Sequence, residues 1–140
     1  MDKFPIELRK VYFTKSIVVA IPEHVPDMID ATKYSPDNNI NVQPIEGSDN
    51  DYIVAMTTKL NMDKDPTDPY MVDMECIAIL HVNNPEMSKD EALKGVTITG
   101  HSVAYGAIRE AVSWITGRHP YGSLSLGLSI LNQKKPEDPQ

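Results

Sequence analysis

The stretch 70–82, YMVDMECIAILHV, decides the fold because its side chains alternate between two faces with the period of a β-strand. A second alternating run extends from Tyr52 to Met62, and the polar segment 63–69 joins the two runs. Consecutive strands usually pair, so we predict an antiparallel hairpin. The face of the later strand that we expect to be buried carries Tyr70, Val72, Met74, Cys76, Ala78, Leu80 and Val82.

Two more strands are predicted before this hairpin. Residues 11–21, VYFTKSIVVAI, are rich in β-branched and aromatic side chains and predict a long strand. Lys15 interrupts its apolar face, which indicates a β-bulge or an edge position there. Residues 39–45 predict a short strand that Pro44 confines to an edge or an end of the sheet. The apolar side chains expected on one face of the long strand are Val11, Phe13, Ile17, Val19 and Ile21.

Helical signals follow the hairpin. Ser88 and Glu91 have the spacing of a capping box, which predicts a short helix from about Lys89 to Lys94. Residues 101–116 have a helical period, and Gly117 is placed to end that helix in a left-handed cap. The predicted apolar stripe of the helix contains Val103, Ala107, Ala111 and Trp114, widened by Ala104, Ile108, Val112 and Ile115.

These elements together predict an α+β fold, in which a four-stranded antiparallel sheet packs against one long C-terminal helix. The 140 residues fit a single domain, which we place at residues 1–131. Residues 124–130 alternate apolar and small side chains, so we expect this extended segment to lie against another part of the chain. Residues 132–140 are predicted to be a disordered tail.

Composition narrows the classes of partner. The formal net charge of -7 opposes attraction to nucleic acid and to anionic lipid, so neither is an expected partner. One cysteine excludes an internal disulfide, and the N-terminal sequence does not have the pattern of a secretion signal. No apolar run approaches the roughly 20 residues needed to cross a bilayer. We therefore expect a cytoplasmic protein without membrane insertion.

The sequence contains no motif that predicts catalysis. The four histidines are far apart and lack metal-ligand spacing, and neither a nucleophile elbow nor a phosphate-binding glycine loop is present. Asp63, Asp65 and Asp68 resemble a calcium loop only superficially, because the glycine for the sharp bend is absent. We therefore predict no metal, no cofactor and no enzymatic activity.

Binding is favoured by the second face of the hairpin. Ile53, Ile77 and Ile79 lie there beside Asp73 and Glu75, so neither face of the sheet is simply polar. This distribution predicts contacts on both sides of the sheet. The methionines in and near the strands suit an adaptable binding surface, although they can equally fill the core.

Two segments resemble the SecB family of protein-export chaperones. KVYFTKSIVVAIPE, residues 10–23, is similar to the first strand of that family. AYGAIREAVSWITGRHPYGSLSLGLSIL, residues 104–131, is similar to its helix and the crossover loop after it, with Arg109 and Glu110 at the position of the family's Arg-Glu pair. The resemblance implies a divergent, shortened member that lacks the family's second C-terminal helix.

The resemblance also implies a function. SecB-like proteins are ATP-independent holdases that bind unfolded polypeptides, and they assemble as dimers of dimers through first strands and helices. It further implies that Asp73 and Glu75 bind a partner such as the SecA motor. The alternative is a phage or accessory protein that keeps this fold and binds one specific folded partner. The residues expected to be exposed and to contact a client are Met71, Ile77, Ile79, Tyr121, Leu124, Leu126 and Leu128.

Overall fold

The computed structural model describes residues 5–24, 36–127 and 129, and both the predicted tail at 132–140 and Leu128 lie outside them. The predicted α+β fold is confirmed: the strands form one antiparallel sheet of order β1-β4-β3-β2, and the helix packs on it. The elements in chain order are β1 (Ile6–Ala20), β2 (Asp37–Pro44), β3 (Asp51–Leu60), β4 (Tyr70–Val82) and α1 (Lys89–Thr116).

The predicted hairpin of β3 and β4 forms the centre of the sheet. Tyr52 pairs with Leu80 and Leu60 pairs with Val72, so even-numbered residues of both strands share a face. That face lies under α1 and is buried on both strands. The opposite face is called the outer face below.

Strand β1 is an edge strand with two irregularities, one between Leu8 and Lys10 and one between Phe13 and Lys15. The second confirms the bulge and the edge position predicted near Lys15. The prediction that Val11 and Ile17 share a face is wrong, because the extra residue at the bulge reverses the alternation. Val11 and Phe13 lie on the helix side, whereas Ile17 and Val19 lie on the outer face.

Helix α1 is continuous, so the prediction of two separate helices is wrong. Its start is as predicted, with a reciprocal capping box between Ser88 and Glu91. Gly95 and Gly100 lie inside it, at its closest approaches to the sheet. A Cβ at Gly95 would lie 2.7 Å from Ile6 Cδ1, and one at Gly100 would lie 2.5 Å from Val54 Cγ2. Because these two glycines have no side chain, the helix can pack closely against the sheet at both positions.

The C-terminal half of α1 also differs from expectation. Gly117 is right-handed, with φ of -61°, so the predicted left-handed cap is wrong. Further turns continue the chain, and the left-handed residue is Gly122, with φ of +84°. Trp114 is 63% exposed and does not belong to the buried stripe. The buried residues of the helix are Ala92, Val96, Gly100, Ala104, Tyr105, Ile108, Val112 and Thr116.

Within the described residues, no helix combines the length and the apolar character that a membrane crossing needs.

Candidate functional site

The described residues after the turns that follow α1, 121–127 and 129, return along the helix and are called the crossover segment. Four helix side chains hold it, and because they are spaced four residues apart they lie on one face of α1. The contacts are Ser113 Oγ to Ser123 Oγ at 2.9 Å, Arg109 Nε to Leu126 O at 3.0 Å, Tyr105 Oη to Gly127 O at 2.6 Å and His101 Nε2 to Ser129 Oγ at 3.1 Å.

Leu124 and Leu126 of the crossover segment insert into the core between helix and sheet. They are 5% and 1% exposed, and they alternate with the exposed Ser123, Ser125 and Gly127. The expectation that this apolar segment lies against another part of the chain is therefore confirmed. The expectation that the two leucines are exposed is wrong, because both complete the apolar core under α1.

The start of the crossover segment is anchored by two tyrosines. The hydroxyl of Tyr70 donates to Gly122 O at 2.7 Å and accepts from the N–H of Tyr121 at 3.1 Å. Tyr121 remains half-buried, and its hydroxyl donates to Ile21 O at 2.5 Å. Its ring packs edge-on against His24 with centroids 4.9 Å apart. Burial raises the pKa of Tyr70, so this hydroxyl keeps its proton.

The outer face of the sheet carries an apolar stripe. Ile77 is flanked by Tyr12 of β1 and Ala55 of β3 as direct cross-strand neighbours. Met71 and Ile77 are buried even without α1 above them, and Ile79 is half-buried, so the expected exposure of Met71 and Ile77 is wrong. The physical reason is the position of β4, which has a strand on each side.

The two acidic candidates on this face both have partners on β1. Asp73 is 8% exposed and accepts a hydrogen bond from Lys15 Nζ at 3.3 Å. Glu75 accepts one from the hydroxyl of Thr14, the extra residue of the bulge. The bulge thus brings a cation and a hydroxyl to the two carboxylates, which the sequence had not revealed.

A second apolar surface lies at the free edge of β1. Leu8, Val11 and Phe13 on its helix side are 47%, 40% and 36% exposed. A groove of about 500 Å³ separates this edge from α1. The sequence did not predict that Leu8 is exposed, although the charged Lys15 on an apolar face indicated that this strand could lie at an edge of the sheet. The groove is lined by Phe13, Ala107, Glu110, Ala111, Trp114 and Ile115.

A polar cluster joins the turn before β3 to the end of β4. Asp51 accepts from Ser48 Oγ and contacts His81 Nδ1, each at 2.7 Å. The Ser48 hydroxyl and then His81 lower the pKa of Asp51. Ser48 bonds to the carboxylate and not to the imidazole, so the three residues do not have the order of a hydrolytic triad. Across the described ranges, no group of three His, Cys, Asp or Glu residues could hold a metal ion.

Comparison with known proteins finds solved structures with a similar fold but no similar sequence family. No protein-family model matches the sequence, and no curated protein matches it. A solved SecB-like chaperone of Mycobacterium tuberculosis, in complex with a ChAD peptide from the HigA1 antitoxin, is 20% identical with a TM-score of 0.63. The match covers 89% of this chain and 88% of that one.

A protein of unknown function from Streptococcus agalactiae also matches, at 9% identity and a TM-score of 0.58, over 88% of this chain and 97% of that chain. The fold shared by these molecules is a sheet backed by a helix. This chain has the SecB-like fold, which confirms at the level of fold the resemblance drawn from the sequence.

Proposed function

We propose that this protein is an ATP-independent chaperone that binds non-native polypeptide segments in the cytoplasm. The observation that carries the proposal is the SecB-like fold, which extends over 89% of the chain and matches a chaperone solved with a bound peptide. Exposed apolar side chains on the outer face, Tyr12 and Ile17, support it, since such surface is what an unfolded chain can cover.

The proposed client surface has two parts. The first is the stripe on the outer face, in which Ile79 is half-buried beside the buried Met71 and Ile77, and a client strand would lie across this stripe. The second is the crossover segment, in which Leu124 and Leu126 are buried against their own core, so a client reaches their position only if the segment moves. The residues that we propose for this second part of the client surface are Tyr121, Leu124, Leu126 and Leu128.

The proposed activity is tested by light scattering from an aggregating client. We expect the protein to delay aggregation at stoichiometric amounts, with no change when ATP is added. Ile79→Ser should reduce the protection several-fold while far-ultraviolet circular dichroism stays native. Ile98→Ser is the matched control, because Ile98 is 52% exposed on the helix, away from the stripe. Unchanged scattering at several-fold excess of the wild-type protein would end the proposal.

We further propose that the free edge of β1 pairs with a second copy, giving a dimer and, as in the SecB family, a dimer of dimers. Unpaired backbone along this strand and the exposed Phe13 and Trp114 beside it favour that occupant. Native mass spectrometry should show the oligomer, and Phe13→Glu should dissociate it. Met62→Glu, at a site 46% exposed in the hairpin loop, should not. A monomeric wild-type protein would contradict this assembly.

A dedicated-partner role is the second candidate. The contacts from Lys15 and Thr14 hold Asp73 and Glu75 in one arrangement, and a preformed polar site suits one folded, basic partner, such as a SecA-type motor or a phage-encoded protein. A pull-down that returns one stoichiometric folded partner, with no affinity for denatured proteins, would favour this role. If Asp73→Asn no longer retains that partner in the pull-down, the binding site would be assigned to Asp73 and Glu75.

A further inference from the structure

The crossover segment is held as a bound extended peptide is held. Its leucines point into apolar space at alternate positions, and its backbone bonds to side chains of α1. Arg109 donates to Leu126 O, Tyr105 donates to Gly127 O, and Thr116 Oγ1 accepts from the N–H of Leu124 at 2.7 Å. Recognition of extended peptides uses this combination of backbone bonds and side-chain pockets.

Gly122 joins the rest of the segment to its anchored start. Within the described part of the segment, the last main-chain hydrogen bond joins Gly122 N–H to His119 O at 3.2 Å. Gly122 has φ of +84°, and no atom lies within 4 Å of the position its Cβ would take. Tyr121, directly before this glycine, is fixed by its own hydroxyl bond. A glycine with open space around it therefore separates the anchored Tyr121 from the rest of the segment.

The space under the segment has the character of a binding groove. Its floor is apolar and comes from both the sheet and the helix, and one rim carries the guanidinium of Arg109 and the hydroxyl of Tyr105. The side chain of Asn38 on β2 lies near the Tyr105 hydroxyl. The core cluster to which Leu124 and Leu126 belong also contains Met56, Leu60 and Val72 of the sheet and Ala104, Ile108 and Val112 of the helix.

We propose that this groove is a client-binding site that the chain fills with its own crossover segment, and that an extended client segment with apolar residues at alternate positions replaces it. The proposal rests on the proposed chaperone function and names the client class for the same site. The client's second apolar residue and the residue after it would take the carbonyl positions that face Arg109 and Tyr105.

Self-occupation sets a threshold for binding. A segment tethered beside its own groove competes at an effective concentration on the order of millimolar. The apparent affinity for a client falls by the fraction of molecules in which the groove is open. A segment that engages only this groove is therefore bound weakly, whereas an unfolded chain that also covers the outer-face stripe is bound more tightly.

The first test empties the groove. The probe is a labelled synthetic peptide with the sequence of residues 121–128, YGSLSLGL, and the control peptide is YGSSSSGS. We expect the full chain with Leu124→Ala and Leu126→Ala to bind the probe with a Kd at least ten-fold below that of wild type. Leu93→Ala, an exposed site on α1, should keep the wild-type Kd. Equal Kd values for emptied and wild-type protein would overturn the proposal.

The second test closes the groove and does not depend on the folding of the emptied variant. The Ser113 and Ser123 hydroxyls are 2.9 Å apart, so Ser113→Cys with Ser123→Cys places two thiols to form a disulfide that pins the segment on α1. Cys76 is buried and its pKa is raised to about 11, so it does not compete. The oxidised protein should bind the probe at least ten-fold more weakly than the same protein reduced. Equal binding in both states would refute the proposal.

The two proposals fail separately. Suppression of aggregation by a protein whose emptied groove does not bind the probe would refute self-occupation and leave the chaperone function intact. Tight probe binding by the emptied variant, without any suppression of aggregation, would refute the chaperone function and leave self-occupation of the groove intact.

Discussion

The helix glycines allow the packing of α1 on the sheet to be tested by one substitution made at different sites. Gly100→Ala adds a methyl group that would lie 2.5 Å from Val54 Cγ2 and 3.0 Å from Val54 Cβ. Val54 is fully buried and β-branched, so its side chain has little freedom to move aside. Either the helix must lift from β3 or the strand must shift.

The expected magnitude follows from two opposing effects. Replacing glycine by alanine inside a helix stabilises it by about 1 kcal/mol through backbone entropy. Overpacking a well-filled core costs about 1–3 kcal/mol, and a contact this short belongs at the upper end. We therefore expect Gly100→Ala to lower the free energy of unfolding by about 2 kcal/mol.

Gly106 provides the matched control. It lies in the same helix, and no atom lies within 4 Å of its Cβ position, so Gly106→Ala should raise the free energy of unfolding by about 1 kcal/mol. The change in the free energy of unfolding expected at Gly95 is intermediate, because the neighbouring Cδ1 of Ile6 is the end of a flexible side chain that can move aside. Gly95→Ala should fall between the two.

Urea unfolding followed by circular dichroism at one protein concentration measures all three variants. With a slope of about 2 kcal/mol/M, the midpoint should fall by about 1 M for Gly100→Ala and rise by about 0.5 M for Gly106→Ala. A rise for Gly100→Ala equal to that of Gly106→Ala would mean that α1 does not approach β3 as described.

Three other outcomes are expected. Tyr70→Phe removes a hydroxyl with three backbone hydrogen bonds, to Gly122 O, to Thr116 O and from the N–H of Tyr121, and should lower the free energy of unfolding by about 1–3 kcal/mol in urea; an unchanged midpoint would contradict the anchor. The pKa of Asp51 is lowered in the fold, so this carboxylate stabilises the protein above its unfolded pKa, and stability is lost as pH falls through the folded value. Asp51→Asn should therefore be less stable than wild type near pH 6. The difference should begin to shrink below about pH 4 and vanish only below the lowered folded pKa, whereas a difference that persists below that pKa would assign the loss to packing beside His81. Cys76 is buried with a raised pKa, so a thiol reagent should label it only as fast as the protein opens, and rapid labelling of native protein would contradict its burial.

The features that the sequence predicts well are those that neighbouring residues determine. Alternation from Tyr70 to Val82 identifies β4 and its two faces, and the spacing of Ser88 and Glu91 identifies the start of α1. Both are local patterns that any tertiary setting would preserve. Together these two patterns predict the α+β fold class.

The features that the sequence does not predict depend on distant contacts. Gly100 separates two helical patterns, and its role in contact with Val54 exists only in the folded molecule. Burial of Ile77 depends on a strand on each side of β4, and burial of Leu126 depends on the return of the chain along α1. For the candidate site, the sequence thus identified apolar residues but not which of them the fold covers.

The bulge at Thr14 makes β1 a strand with two independent halves. If Thr14 were paired in regular alternation and not bulged, Lys15 would turn toward the helix side, where its charge would lie beside the core and away from Asp73. With the bulge, residues before it shape the groove beside α1, while Ile17 and Val19 after it shape the outer face. The groove beside α1 and the outer face can therefore change by separate substitutions in one strand, so selection on one surface need not alter the other.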